Sequence, residues 1–155
     1  MRPRFTGKLT VILMLTLLIA SDVLAQGQES DDVSAGQAGL EYWNNIDKEA
    51  IQTESGLQYK VLYQGNGRKP KSKSKVKVHY RGLLLNGSTF DTSYTDDEPA
   101  ELSLKSVIKG WKEGIPLMSA GSVFVFLIPP ELAYGEKGSG AIPPDATLIF
   151  EIELF

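Results

Sequence analysis

From Gly56 onward apolar residues recur at every second position, and that alternation commits a chain to strands with one buried and one solvated face. It is sharpest in the segment beginning at Lys75, where Val76, Val78 and Tyr80 point to one side and Lys75, Lys77, His79 and Arg81 to the other. A half-buried antiparallel strand has this pattern. Leu57-Gln58-Tyr59-Lys60-Val61-Leu62 carries the same period, followed by the turn Gly65-Asn66-Gly67. Asn86-Gly87 supplies a hairpin turn between Leu83-Leu84-Leu85 and Ser88-Thr89-Phe90-Asp91. Further strands are predicted over residues 100–104, 122–128 and 148–155. Between two of them Ile108, Trp111, Ile115 and Met118 recur at spacings of three, four and three, the mark of one short amphipathic helix ending before Gly121. Pro116 lies inside it, removes an N–H and crowds the preceding turn, so the helix is expected to be short or kinked. Strands in the majority with a helix among them make the class α+β.

The amino terminus follows a different rule. Arg2, Arg4 and Lys8 precede an apolar run over residues 9–20 that is too short to span a bilayer comfortably. Val23 and Ala25 then put small residues at the two positions signal peptidase requires. Residues 1–25 therefore read as a signal peptide cleaved after Ala25; a buried core helix or an uncleaved anchor are the other uses of such a run. The product is expected to be exported, periplasmic or secreted, touching a membrane only during export. Residues 26–52 read as a leader, polar and acidic from Gln26 to Val33 and without an apolar period. A short helix follows, capped by Ser34 and running to about Ala50, with Leu40, Trp43, Ile46 and Asp47 near helical spacing and Gly36 and Gly39 weakening its start. Residues 53–155 then form one domain, which suits a chain of 155 residues with 42% hydrophobic and 23% charged side chains.

Several chemistries are excluded. There is no Cys, which removes disulfides, thiolate metal sites and a cysteine-linked lipid anchor. His79 is the one histidine; it lies on the polar face of its strand, reads as an ordinary surface residue, and cannot alone build a triad or a metal site. The glycine-rich residues 135–140 are followed by Ile142-Pro143-Pro144, which cannot open the helix a phosphate loop needs, so they read as a flexible loop. Asp96, Asp97 and Glu98 lack the spacing of a calcium loop. With 16 basic and 19 acidic side chains the chain is acidic, more so without Arg2, Arg4 and Lys8, and nucleic acid is not an expected partner. Lys69, Lys71, Lys73, Lys75 and Lys77 alternate with other residues and read as a solvated face. No metal or cofactor is implied.

Five segments occur in order: Val78-His79-Tyr80-Arg81-Gly82, Phe90-Asp91-Thr92-Ser93, Val107-Ile108-Lys109-Gly110-Trp111, Ala133-Tyr134-Gly135 and Ile142-Pro143-Pro144. They resemble the motifs of the FKBP-type peptidyl-prolyl cis-trans isomerases. Thr53-Glu54-Ser55-Gly56-Leu57-Gln58-Tyr59 is similar to the opening of the secreted bacterial branch, the macrophage-infectivity-potentiator-like isomerases. The resemblance implies an antiparallel sheet of five to six strands curled around one short helix, with a shallow apolar pocket between them. It implies catalytic roles for Tyr80, Asp91, Ile108 and Tyr134, and substrate contacts from Phe90, Val107, Trp111, Ile142 and Phe150, Trp111 forming the floor. The Ile108 N–H and Tyr134 hydroxyl would donate to ligand carbonyls, and Asp91 would receive a polar ligand group. The implied reaction is rotation of X-Pro bonds in exported proteins, with macrolides as inhibitors; the alternative is a proline-directed binding module or chaperone with little turnover. Two positions depart from the family: Ala100 stands where a pocket phenylalanine is common, and Asp96 where an Arg often pairs with the aspartate matched by Asp91. With about 25 residues between Gln26 and Ala50, a monomer or weak dimer is expected rather than a dimer built on a long helix.

The same residues suit that chemistry on physical grounds. Amide resonance sets a barrier of about 18–20 kcal/mol to rotation of a peptide bond, and no covalent step is needed to lower it. The twisted transition state has lost resonance and charge separation, so a water-poor aromatic cradle that cannot solvate the planar amide favours it. A thousandfold to millionfold acceleration asks for only about 4 to 8 kcal/mol. Taken singly, Val107, Ile108, Trp111 and Phe150 would serve as core, Tyr80 and Tyr134 as core tyrosines with wet hydroxyls, and Asp91 as a turn former. Their joint occurrence in order is what reads as a site.

Overall fold

The computed structural model describes residues 37–155. The expected signal peptide, the polar leader and Ser34 as a helix cap lie outside the described residues. A helix α1 (Ala38–Asn45) comes first, then strands β1 (Ile51–Gln52), β2 (Gln58–Tyr63), β3 (Lys75–Leu84), β4 (Thr89–Thr92) and β5 (Ala100–Ser103). Helix α2 (Lys109–Gly114) leads through a 3₁₀ turn (Ile115–Leu117) into β6 (Val123–Ile128) and β7 (Leu148–Leu154). All pairings are antiparallel in one sheet of order β1-β2-β6-β7-β3-β4, and β5 pairs with the first half of β3. β2 to β7 are the strands the alternation predicts, and β1 adds a two-residue edge. The Asn86-Gly87 hairpin is present, with Gly87 at φ +86° and Leu84 N–H donating to Ser88 O at 2.9 Å.

The alternation sorts side chains onto two faces. Val76 and Val78 from β3, Phe124, Phe126 and Ile128 from β6, and Leu148, Phe150, Ile152 and Leu154 from β7 form one buried cluster with Trp111 and Ile115. The Phe126↔Phe150 and Phe124↔Ile152 pairs are in register, so neighbouring strands deliver these side chains at the same height. α2 ends at Gly114 and the chain tightens into the 3₁₀ turn that holds Pro116, the shortening expected from a residue without an N–H.

β7 departs from strict alternation because both of its faces are covered. On the outer face Trp43, Leu83, Val125 and Ile149 make a second buried cluster. α1 therefore packs on the sheet. Gly39 lies so close to the β3–β4 hairpin that a Cβ there would sit 2.2 Å from Leu84 O, and its N–H donates to Leu85 O at 2.9 Å. The glycine expected to weaken this helix is what lets the helix dock. The end expected near Ala50 is corrected to Asn45: Ile46 is already extended at φ −67°, ψ 113°. Lys60, buried in β2, explains the stop, since its Nζ donates to Trp43 O at 2.8 Å and Ile46 O at 3.3 Å and satisfies carbonyls at the helix end. The same ammonium lies 4.8 Å from the centroid of the Trp43 ring.

Trp43 ties α1 to the sheet, so Trp43→Ala should lower unfolding free energy by about 3–5 kcal/mol, the usual cost of truncating a buried aromatic side chain. Denaturant titration of the full chain checks this. A loss no larger than the ~0.5 kcal/mol of a surface substitution would mean that α1 adds nothing to the domain.

Candidate active site

The inner face of the sheet meets α2 in a set of aromatic rings. Tyr80 stands edge-to-face against Trp111 at 5.1 Å and 82°, Trp111 against Phe150 at 5.2 Å and 83°, and Phe90 against Phe150 at 5.4 Å and 89°. Perpendicular contacts put a positive ring edge on a negative ring face, each worth about 0.5–1.5 kcal/mol beyond burial. Gly82, opposite Phe150 on β3, makes room for them: a Cβ there would lie 2.6 Å from Phe90 Cζ and 2.8 Å from Phe150 Cε1. α2 is tied to the segment before β2 as well, because Glu113 on this helix accepts from the Ser55 hydroxyl at 2.9 and 2.8 Å.

Among the described residues the Trp111 indole N–H is the buried side-chain polar atom with no partner, although the residue is only 5% exposed. Leaving a buried donor unmet costs about 1–3 kcal/mol, and a ligand acceptor would remove that cost. The Ile108 carbonyl starts α2 by accepting from Trp111 and Lys112, both at 3.1 Å, while its own N–H makes none of the described hydrogen bonds.

Tyr80 donates its hydroxyl to Asp91 Oδ2 at 2.9 Å. Burial, then the bond to Asp91, its charge and that of Tyr134 push the Tyr80 hydroxyl up to about 12, so it stays a donor across the physiological range. Asp91 is exposed and no cation pairs with it among the described residues, in keeping with Asp96 standing where an Arg is common.

Of the nine residues singled out by sequence, Tyr80, Phe90, Trp111 and Phe150 form the continuous ring set. Ile142 is buried in the same cluster, and Val107 and Ile108 pack half-buried against it. Asp91 is joined to the set through Tyr80. Tyr134 lies outside the cluster, 39% exposed, at the start of the 3₁₀ turn Gly135–Lys137, with a hydroxyl that makes no hydrogen bond among the described residues. Residues 135–140, expected as a flexible loop, are instead a bonded turn: Ser139 N–H donates to Ile142 O at 2.9 Å, Ile142 N–H to Ser139 O at 2.8 Å, and Asp145 N–H to Gly135 O at 3.0 Å. That pairing is what seats Ile142. His79 is not the plain surface residue expected; it is half-buried, stacks on Tyr94 at 4.9 Å, and its Nδ1 lies 3.1 Å from Ser93 Oγ. Ser93 and Thr92, quoted above as part of a motif but given no role, grip the Tyr80 backbone. A separate groove of about 460 Å³ lined by Arg68, Lys69, Lys77 and Phe155 shares no residue with the ring set. Among the described residues no group of three or more His, Asp or Glu side chains is placed to hold a metal ion.

A Tyr80 hydroxyl that ionises near 12 rather than near its ordinary 10 has a thermodynamic sign. The folded state holds the proton more tightly, so this contribution to stability is complete below pH 10 and is lost as pH rises through about 12. The difference in tyrosinate absorbance between the native protein and Tyr80→Phe should show a step near 12; a step at 10 would mean a hydroxyl free in water.

Residues 66–155 match the family model described as FKBP-type peptidyl-prolyl cis-trans isomerase. The chain is 49% identical over 128 residues to the FKBP-type peptidyl-prolyl cis-trans isomerase FkpA of Aeromonas hydrophila, covering 81% of this chain and 48% of that protein. It is 50% identical over 119 residues to the FKBP-type 22 kDa isomerase of Escherichia coli K12, covering 75% of this chain and 58% of that one. It thus spans about half the length of these relatives. Among solved structures, FkpA from Escherichia coli superposes with a TM-score of 0.68 at 42% identity, over 76% of this chain and 56% of that one. A peptidyl-prolyl cis-trans isomerase from Pseudomonas syringae superposes with 0.65 at 31% identity, over 83% of this chain and 97% of that one. A family match over residues 66–155, the stretch whose sheet and α2 together bring Tyr80, Phe90, Trp111 and Phe150 into one cluster, makes this chain a member of the FKBP-type peptidyl-prolyl cis-trans isomerase family.

Proposed function

We propose that this protein catalyses cis-trans isomerisation of X-Pro bonds in polypeptides at the ring-lined site on the inner face of its sheet. The observation that carries the reading is the apolar cradle of Tyr80, Phe90, Trp111 and Phe150, which keeps an unmet indole donor at its base. A proline ring seated on Trp111 leaves its preceding amide among apolar walls that solvate the planar, charge-separated form poorly. The Ile108 N–H and the Tyr134 hydroxyl are free to hold the flanking carbonyls, which fixes the chain on either side while the bond turns. Asp91, anchored by Tyr80, offers a carboxylate at the rim for a polar group of the twisting amide. These steps move no electron pair between protein and substrate, and the chain supplies them without a cofactor.

Substrates on this reading are proline-containing segments of exported proteins. Export rests on the charged-then-apolar residues 1–20 and the small Val23 and Ala25, and no helix among the described residues is long and apolar enough to cross a membrane. Ala100 lies opposite Val78 on the inner face, and it stands at the position where, by resemblance, a pocket phenylalanine is common. A wall lowered in this way broadens the choice of residue next to proline and weakens macrolides that need an aromatic contact there.

A proline-limited peptide assay tests the activity. The native chain should accelerate the slow phase, and Asp91→Leu should lower kcat/KM at least tenfold, about 1.4 kcal/mol, while circular dichroism stays native. Full activity in folded Asp91→Leu would reduce the site to the aromatic cradle. Ligand binding should change Trp111 fluorescence, a response kept in Trp43→Phe and lost in folded Trp111→Leu. Binding of proline peptides without acceleration by the native chain would favour the holding-module reading instead.

Mass analysis of exported material should give a mature chain beginning at Gln26. A membrane-bound product that retains Met1 would overturn export and release.

A further inference from the structure

The outer edge of β3 is shared by two short strands, and Tyr80 falls between them. β4 pairs with Arg81 to Leu83 and β5 with Lys75 to Val78, so neither strand supplies a partner opposite Tyr80 on that edge. On the other edge Tyr80 is paired with Ile152 of β7. A backbone unit with one edge unpaired is free to tilt, and tilt at the Cα is magnified at a phenol oxygen several bonds away.

The gap is filled by Thr92, the last residue of β4, and Ser93, which follows it. Ser93 N–H donates to Tyr80 O at 3.0 Å, and the Thr92 hydroxyl donates to the same carbonyl at 3.1 Å. The Tyr80 N–H donates to Ser93 Oγ at 2.8 Å. Ser93 is 5% exposed, and its hydroxyl also lies within bonding distance of His79 Nδ1. A buried serine normally serves as a small packing residue or a turn former. Here its Oγ takes the acceptor place a strand carbonyl would hold, and its N–H takes the donor place. The residue just before this pair, Asp91, is the acceptor of the Tyr80 hydroxyl.

We infer that Thr92 and Ser93 are positioning residues of this site: they stand in for the missing strand beside Tyr80 and hold its hydroxyl on Asp91. The inference rests on the isomerase reading for its kinetic consequence but not for its structural one. Displacement of a site group by about 1 Å can cost up to ~10²-fold in rate, so a loosened Tyr80 is expected to show in turnover.

Two variants and two readouts test it. Ser93→Ala removes the acceptor of the Tyr80 N–H, and Thr92→Val removes one donor to the Tyr80 carbonyl from a half-buried position. The second variant decides the matter if the first does not fold. In folded protein each should lower kcat/KM, about tenfold for Ser93→Ala, and move the Tyr80 step in the tyrosinate titration down towards its ordinary position. In a Tyr80→Phe background the same substitutions should have little further effect on kcat/KM. An unmoved Tyr80 step in folded Ser93→Ala and Thr92→Val would overturn the inference. So would a loss of equal size with and without the Tyr80 hydroxyl, which would mean that these residues act elsewhere. Because the titration needs no turnover, the proposal stands or falls on it even if the native chain proves inactive in the peptide assay, a result that would remove only the isomerase reading.

Discussion

A slip of one residue between β3 and β7 would take Phe150 away from Gly82, turn Ile149 and Glu151 inward, and dismantle both faces of the sheet together. The period of side chains along a strand is two, so register and facing are the same constraint. In this protein the constraint is enforced from both sides. Inward, Gly82 admits the rings of Phe90 and Phe150 where any side chain would collide with them. Outward, Arg81 faces Glu151 across the same pair of strands and donates to its carboxylate at 3.3 Å.

The outer face does more than cover the sheet. Glu151 is buried, and its carboxylate accepts from Arg81 and from the Tyr42 hydroxyl of α1. A buried carboxylate stripped of partners is costly, so this cluster selects for α1 being in place. Burial, together with the Glu151 charge, holds the Tyr42 hydroxyl well above the usual tyrosine range, and Arg81 works against that shift less strongly. The Arg81 guanidinium also lies 5.5 Å from the Tyr42 ring centroid. Arg81 and Tyr80 are neighbours in sequence with opposite facing, so the ion cluster that seats α1 and the phenol that reaches Asp91 hang on adjacent peptide units. Beyond Tyr80, the His79 ring bridges Tyr94 and the Phe155 side chain, 4.9 and 5.7 Å away, and braces the outer side of the same strand.

Alternation over Lys75 to Arg81, Asn86-Gly87 and the three-four-three spacing around Trp111 were legible because each reports a local rule: side-chain facing, turn chemistry and helical period. Pro116 likewise announced the early end of α2. Other features carried no local signal. Gly39 reads as a helix-weakening residue until the β3–β4 hairpin is brought against it. The end of α1 at Asn45 depends on a lysine far along the chain, Lys60, reaching back to two carbonyls. Residues 135–140 look like a loose glycine-rich loop, since the Ser139–Ile142 pairing that organises them is set by backbone geometry rather than by composition.

What the sequence by itself determined is the α+β class, the inner and outer sets of each strand, and the family, because these depend on residue type and spacing within one element or on ordered motifs. What only the tertiary structure decided is how elements distant in sequence meet. Trp111, Phe150, Tyr80 and Phe90 come from one helix and three strands, and their perpendicular ring contacts exist only once the sheet has curled over α2. The same holds for the unmet indole N–H of Trp111 and for the grip of Thr92 and Ser93 on Tyr80, which answers a vacancy between two strands that share an edge. Sequence periodicity specifies which way a side chain faces; which donor is left unpaired is fixed only when every neighbouring acceptor has been placed.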